Sequence, residues 1–206
     1  MPVLVSVIVP VYRDEAALEG LRTSLPGDPR LEVIVSEPPP LGRGAQMNAG
    51  ARRASGAWLL FLHADSRLPS AWIDALADAT RDPRVCGGWF RFAIDADAWQ
   101  ARVIERLVHA RVRLFQLPYG DQGLFVRRDV FATLGGFREW PLMEDVDLVR
   151  RLVRVGPVVE LPLPLATSPR RWRRDGWFRR SARNLAVLTL YFLGVSPTRL
   201  ARLYSL

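Results

Sequence analysis

Three carboxylates fall within four positions at Glu144-Asp145-Val146-Asp147, directly after Pro141-Leu142-Met143. A helix start favours negative charge through its dipole and free backbone N–H groups, so capping accounts for one or two of them. Crowding raises a carboxyl pKa, and the remaining member is a candidate general base, with Asp145 the first choice and Glu144 beside it. A second carboxylate, Asp65, leaves the apolar run Trp58 to Leu62 through His63 and Ala64. A charge at the end of a buried strand is costly unless it is paired or bound to a cation. Mg²⁺ or Mn²⁺, shared with diphosphate oxygens, would satisfy Asp65, and a ligand at His63 suits Mn²⁺ better. The plain alternative is that Asp65, with Ser66, caps a helix opening near Pro69.

Two further segments carry polar chemistry. Tyr119-Gly120-Asp121-Gln122-Gly123 places an acid and an amide in a turn, suited to hydrogen-bonding hydroxyl groups, or is a simple Gly-Asp turn. Arg170-Arg171-Trp172-Arg173-Arg174 could clamp a diphosphate, because guanidinium forks match phosphate oxygens, or form a solvated basic face. Trp172, Trp177 and Phe178 among these arginines permit stacking on nucleic acid, but no recognised nucleic-acid module accompanies them.

The elements that position these residues follow from periodicity. Val3 to Val11 is an apolar, β-branched run of the kind found in parallel strands covered on both faces, and Pro10 ends it. Asp14 can cap a helix with Ala17, Leu18, Leu21 and Leu25 on one face, stopped by Pro26-Gly27-Asp28-Pro29. Leu31 to Val35 is the second strand, so the chain opens as strand, helix, strand, the unit of a parallel sheet. Gly44 to Ala54 reads as a helix and Trp58 to Leu62 as a third strand. Leu68 to Arg81 reads as a helical segment, Val85 to Ile94 as a strand, and Ala98 to Leu114 as a long helix. A short strand at Leu124 to Arg127, a helical turn at Asp129 to Leu134 and a helix at Glu144 to Val155 close the main body. The proline-rich stretch from Gly156 to Pro169 reads as extended, and Gly176 to Val195 as a helix. Ligands of such sheets sit beyond the carboxyl ends of the strands, which is where Pro10-Val11-Tyr12-Arg13, Ser36-Glu37 and His63-Ala64-Asp65 lie.

Composition narrows the class. The 206 residues are 49% hydrophobic, enough for one sizeable core. The single cysteine, Cys86, excludes an internal disulfide or thiol-metal cluster and fits a reducing compartment, so a cytoplasmic protein is expected. Met1 to Pro10 has no basic region before its apolar run and reads as a strand rather than a signal peptide. The net charge of +8 is uneven: residues 150–206 hold 12 arginines against Glu160 and Asp175, while residues 1–149 are slightly acidic. Such a basic tail binds polyphosphate, an anionic membrane or nucleic acid. Its apolar stretch, Leu185 to Val195, falls short of the roughly 20 residues needed to span a bilayer but could lie on one, on the inner face of the plasma membrane.

Taken in order, Val7-Ile8-Val9-Pro10-Val11-Tyr12, Asn48-Ala49-Gly50, Leu62-His63-Ala64-Asp65, Gly120-Asp121-Gln122 and Glu144-Asp145 resemble the family 2 glycosyltransferases, over nearly the whole chain. More narrowly, Gly42 to Gly50, Phe61 to Asp65, Pro118 to Val126, Leu142 to Arg151 and Arg171-Trp172 look like a small bacterial subgroup of arsenosugar-biosynthesis type. The resemblance implies an α/β fold of the GT-A type, Rossmann-like with a mostly parallel sheet between helices, over residues 1–165. Residues 166–206 would form a basic, amphipathic helical extension packed on the same domain. It also implies a nucleoside diphosphate sugar donor, UDP- or GDP-linked, a hydroxyl acceptor that could be lipid-linked, and inversion at the anomeric centre. Asp65 and His63 would hold Mn²⁺ or Mg²⁺, Asp145 would act as base, and Asp121 and Gln122 would lie near sugar or acceptor. Pro10, Tyr12, Arg43, Gln46 and Asn48 would approach the nucleotide, and Arg171 with Trp172 the diphosphate and acceptor. In two places the chain departs from the family pattern. His63 stands where an acid is usual, and Ser36-Glu37-Pro38-Pro39-Pro40 replaces the usual acidic, glycine- and serine-rich segment, leaving Glu37 as a substitute contact. A non-catalytic protein of the same fold, its donor binding lost with that segment, and a peripheral membrane-binding protein are the competing readings. A sugar nucleotidyltransferase would need a glycine-rich basic loop after the first strand, which the sequence lacks.

Overall fold

The computed structural model describes residues 3–11, 19–21, 25, 27–38 and 42–204. Six strands form one sheet: β1 (Val5–Pro10), β2 (Leu31–Ser36), β3 (Trp58–Phe61), β4 (Gly87–Ile94), β5 (Leu124–Arg127) and β6 (Val158–Thr167), in the order β2-β1-β3-β5-β4-β6. Strand β5 alone runs antiparallel to its neighbours β3 and β4. The helices are α1 (Arg43–Arg53), α2 (Trp72–Ala79), α3 (Trp99–Phe115), α4 (Arg128–Thr133), α5 (Glu144–Leu152), α6 (Arg170–Asp175), α7 (Trp177–Phe192) and α8 (Pro197–Tyr204). Of the helix expected between β1 and β2, residues 19–21 are helical, whereas Asp14, Ala17 and Leu18 lie outside the described residues.

Alternation along the strands divides the core. Val5, Val7 and Val9 with Trp58 and Leu60 point to one face, where α2 supplies Trp72 and Leu76. Ile8, Leu59 and Phe61 point to the other, against Met47 of α1, Phe131 of α4 and Leu148 and Leu152 of α5. Both faces are therefore covered, as the unbroken apolar runs require. Gly88 has no room for a side chain, since a Cβ would strike the Val159 carbonyl across the β4–β6 pair.

The proline-rich stretch read as merely extended is a ten-residue strand at the sheet edge. Its prolines are tolerated because the register against β4 jumps from Leu161 opposite Phe90 to Pro164 opposite Arg91, a bulge that absorbs Pro162 and Leu163. The boundary drawn after residue 165 falls inside this strand. Beyond it, α7 and α8 pack back on α5 through Val187, Leu188 and Leu200 against Met143 and Val146.

Candidate active site

Six strand ends converge on one side of the sheet. Strands β1, β2, β3, β4 and β6 finish there, and β5, running the other way, begins there. A cavity of about 530 Å³ opens there, lined by Pro10 at the end of β1, His63, Ala64 and Asp65 after β3, Tyr119 to Asp121 before β5, Thr167 at the end of β6 and Ser168 after it. The start of α1 brings Arg43 and Gln46, the start of α5 brings Glu144 and Asp145, and α6 to α8 bring Arg171, Trp172, Arg180, Asn184 and Tyr204. The volume lies within the ordinary range for small-molecule sites.

Each side chain is held by identifiable contacts. The turn after β3 closes through Ser66 N–H donating to the His63 carbonyl (3.1 Å), and Arg67 and Ala166 then exchange backbone hydrogen bonds that fasten this turn to β6. Helix α2 starts at Trp72 with Ala71 as its cap residue, so Asp65 does not cap it. At the start of α5 the three carboxylates separate by role. Asp147 pairs with Arg151 (2.7 Å), which also donates to the carbonyls of Leu134 and Gly136. Asp145 reaches across to accept the Gly120 N–H (2.6 Å) and turns its other oxygen to the Val146 N–H (2.8 Å). Glu144 is buried, 3.7 Å from Arg43 Nε. Met143, which precedes it, adopts a left-handed backbone (φ 68°), an uncommon conformation for methionine that sets the direction in which the helix starts.

At Gly120 a Cβ would displace the Arg43 guanidinium and lie 3.0 Å from Asp145 Oδ2, so glycine lets both groups approach the turn. Gln122, expected near the sugar, is fully buried behind the turn, donates to the Phe90 carbonyl (3.3 Å) and accepts from Tyr119 N–H (3.3 Å). Asn48 likewise faces away from the cavity: its amide accepts from Phe137 N–H and donates to the Phe137 carbonyl, both at 2.9 Å. Gln46 lines the cavity and is fixed by its Nε2 to the Val11 carbonyl and by its own carbonyl to Ser36 Oγ. Glu37 is exposed and does not line the cavity, and Tyr12 lies outside the described residues.

The electrostatics are uneven. Burial, opposed by Arg111 and reinforced by Asp145, pushes Asp121 up to about 6. Burial and the neighbouring Asp145 push Glu144 up to about 7, with Arg43 opposing. Burial, together with Arg43 and Arg171, holds His63 well below its ordinary value, so the ring is neutral. Its Nε2 is shut from solvent without a hydrogen-bond partner, as is Arg43 Nε. Arg171 makes no ion pair among the described residues. Arg180, in contrast, is committed to Asp175 (2.6 Å) and to the Tyr204 hydroxyl (2.8 Å), which donates to Asn184 Oδ1 (2.9 Å).

A neutral imidazole lacking a partner beside a carboxylate fits a divalent cation whose remaining ligands come from substrate and water. Among the described residues no cluster of three or more His, Cys, Asp or Glu side chains forms an all-protein metal site. Sequence reasoning missed Arg180, Asn184 and Tyr204. The one available signal was Asp175, the lone acid among the arginines of residues 170–183 and therefore an anchor for several of them.

Residues 15–135 match the family described as Glycosyl transferase family 2. The sequence has no match among curated proteins. Among solved structures, Staphylococcus aureus TarS 1–349 in complex with UDP-GlcNAc superposes with a TM-score of 0.59 at 15% identity, over 80% of this chain and 58% of that one. The mannosyltransferase PcManGT from Pyrobaculum calidifontis, in complex with GDP-Man and Mn²⁺, superposes with 0.59 at 19% identity, over 81% and 58%. TarS 1–349 in a second structure gives 0.60 at 14% identity, over 96% and 68%. The chain thus spans little more than half the length of the first two, and at these identities the likeness establishes the GT-A fold alone. With more than half of its residues matched to the family, the chain belongs to glycosyl transferase family 2.

Proposed function

We propose that the protein transfers a sugar from a nucleoside diphosphate sugar to an acceptor hydroxyl, with inversion at the anomeric carbon. The observation that carries this reading is the convergence, around one cavity, of Asp145 held by the Gly120 N–H with Arg43 and Arg171, two cations that no carboxylate fully satisfies. Family membership and the ligands named for the two solved neighbours, UDP-GlcNAc and GDP-Man, support the donor class.

In this reading Arg43 and Arg171 flank the donor diphosphate, where guanidinium groups lower the cost of its developing charge. Asp145 takes the proton from the acceptor hydroxyl as that oxygen bonds to the anomeric carbon, and the bond from that carbon to the phosphate oxygen breaks. The released nucleoside diphosphate carries the electron pair away. Asp65 and His63 are the residues that would hold Mn²⁺ or Mg²⁺, which when bound supplies Lewis-acid neutralisation of the leaving group. Asp121, tucked beside Asp145, offers a proton-bearing or accepting group to a sugar hydroxyl. The likeness to the arsenosugar-type subgroup belongs to the same proposal.

The direct test is release of nucleoside diphosphate from a panel of nucleotide sugars, with and without Mn²⁺. Asp145→Asn is expected to lower turnover by about 10²–10⁴ while donor affinity stays within a few-fold; undiminished turnover would remove Asp145 as base. One observation favours a second reading, a non-catalytic protein of the same fold: Glu37, the residue left to contact the nucleoside, is exposed and does not line the cavity. That reading predicts no release and no binding with any nucleotide.

A further inference from the structure

Of the 11 large hydrophobic residues exposed among the described residues, eight lie on α3, on α7 or at the residue that ends α7. On α3, Leu107 and Leu114 are seven residues apart and so lie along one line of the helix, beside a second line formed by Trp99, Arg106 and Arg113. On α7, Phe178, Leu185 and Phe192 are spaced by sevens in the same way. The two helices meet side by side, with the rings of Trp99 and Phe178 5.8 Å apart. These apolar residues are 47 to 75% exposed, and they form one surface rather than scattered points.

The surface is also basic. Helix α3 carries four arginines against one acid, Glu105, which is buried and accepts the Ile94 N–H, and α7 carries three arginines and no acid. Arg106, Arg113 and Arg179 are exposed and form no ion pair among the described residues. Toward the ends of both helices the surface deepens into a groove of about 560 Å³ whose apolar walls include Phe115, Leu185 and Phe192, with Arg111, Arg150 and Arg154 around them. Arg150 lies over the Phe192 ring at 5.0 Å. A second copy of the chain would bring unpaired arginines against unpaired arginines, so self-association is disfavoured by charge.

We infer that the outer face of α3 and α7 docks the protein on an anionic phospholipid bilayer. Phe178, Leu185, Phe192, Leu107 and Leu114 enter the boundary between headgroups and acyl chains, and Arg106, Arg113 and Arg179 meet the phosphates. Among the described residues no helix is long and apolar enough to cross a membrane, so the contact is peripheral. The inner face of α7 supplies Arg180, Asn184 and Val187 to the cavity, which places the bilayer one helix away from the site. The inference does not depend on the reaction assigned to that cavity.

The experiment is co-sedimentation of the full chain with phosphatidylcholine vesicles, with or without phosphatidylglycerol, at low and high salt, accompanied by sedimentation equilibrium of the protein alone. Binding is expected to the phosphatidylglycerol vesicles only, weakening as salt rises. Arg106→Ser with Arg113→Ser should lower the partition coefficient about fivefold per arginine, and Leu185→Ser with Phe192→Ser should abolish it. Circular dichroism should match the parent, since all four positions are exposed. Absence of binding to phosphatidylglycerol vesicles, binding unchanged in both double variants, or a dimer that Leu185→Ser dissociates would each overturn the inference.

Discussion

Glu144 and Asp145 are neighbours in sequence with unequal surroundings, and a titration separates them. Glu144 is buried 3.7 Å from an arginine that does not fully offset its burial, so its folded-state pKa stands at about 7, above the ordinary 4.5. The folded chain then holds this proton more tightly than the unfolded chain, and stability from this group falls as pH rises through that interval. Glu144→Gln should therefore stabilise the metal-free protein relative to wild type at pH above about 7, by on the order of 1 kcal/mol or more, and leave it nearly unchanged at low pH. His63, held neutral, acts in the opposite sense below its ordinary value of 6.5, but it is common to both proteins and cancels in the difference. Paired thermal melts across this range check the prediction. Of the three acids at this helix start only Asp147 has an arginine four residues on, so its pairing was open to sequence reasoning, whereas the burial of Glu144 and the reach of Asp145 to the Gly120 N–H were not. The further bonds of Arg151 to the Leu134 and Gly136 carbonyls depend on where the Gly135-Gly136 turn lies, a tertiary fact.

At the scale of elements, Asn48 belongs to a segment that resembles a family motif and yet serves the scaffold. Asn48 stitches α1 to the Phe137 backbone, so Asn48→Ala leaves an N–H and a C=O without partners at a cost of about 1–3 kcal/mol. A Tm lowered by several degrees with nucleotide affinity unchanged is the expected result in calorimetry. Gly120→Ala should do the reverse. The added methyl meets Arg43 and Asp145, so turnover falls by about 10²-fold through displaced groups while Tm moves little. A fall in Tm without loss of turnover would show that the turn accommodates the methyl group elsewhere. The strands β1 and β3 were legible because buried parallel strands must be apolar on both faces, and β4 because it alternates. The edge strand β6 was less so, because its two prolines argue against pairing until the bulge opposite Phe90 and Arg91 is known.

Across the whole molecule, the mostly parallel sheet brings segments far apart in sequence, from Pro10 to Tyr204, to one of its sides. The GT-A fold followed from the resemblance of motifs taken in order, and the rule that ligands sit beyond strand ends pointed to Pro10 and His63 to Asp65, which line the cavity, and to Glu37, which does not. The contribution of α7 and α8 could not. Tyr204 and Asn184 carry no motif, and they reach the cavity because Asp175 gathers Arg174, Arg180 and Arg183 and turns the chain back. The charge count was legible, but its division into arginines spent on Asp175 and arginines left on the outer face of α3 and α7 was not.

The central claim is that this cavity binds a nucleoside diphosphate sugar, and isothermal titration of the purified protein with UDP- and GDP-sugars, with Mn²⁺ and with chelator, tests it most directly. The account predicts saturable binding of one nucleotide class that weakens when the metal is removed and in Arg43→Ala and Arg171→Ala. At 100 times its Kd the ligand should also stabilise the protein by roughly 2.7 kcal/mol. Absence of binding by every nucleotide to a folded protein would contradict the account and leave a family 2 fold without donor recognition.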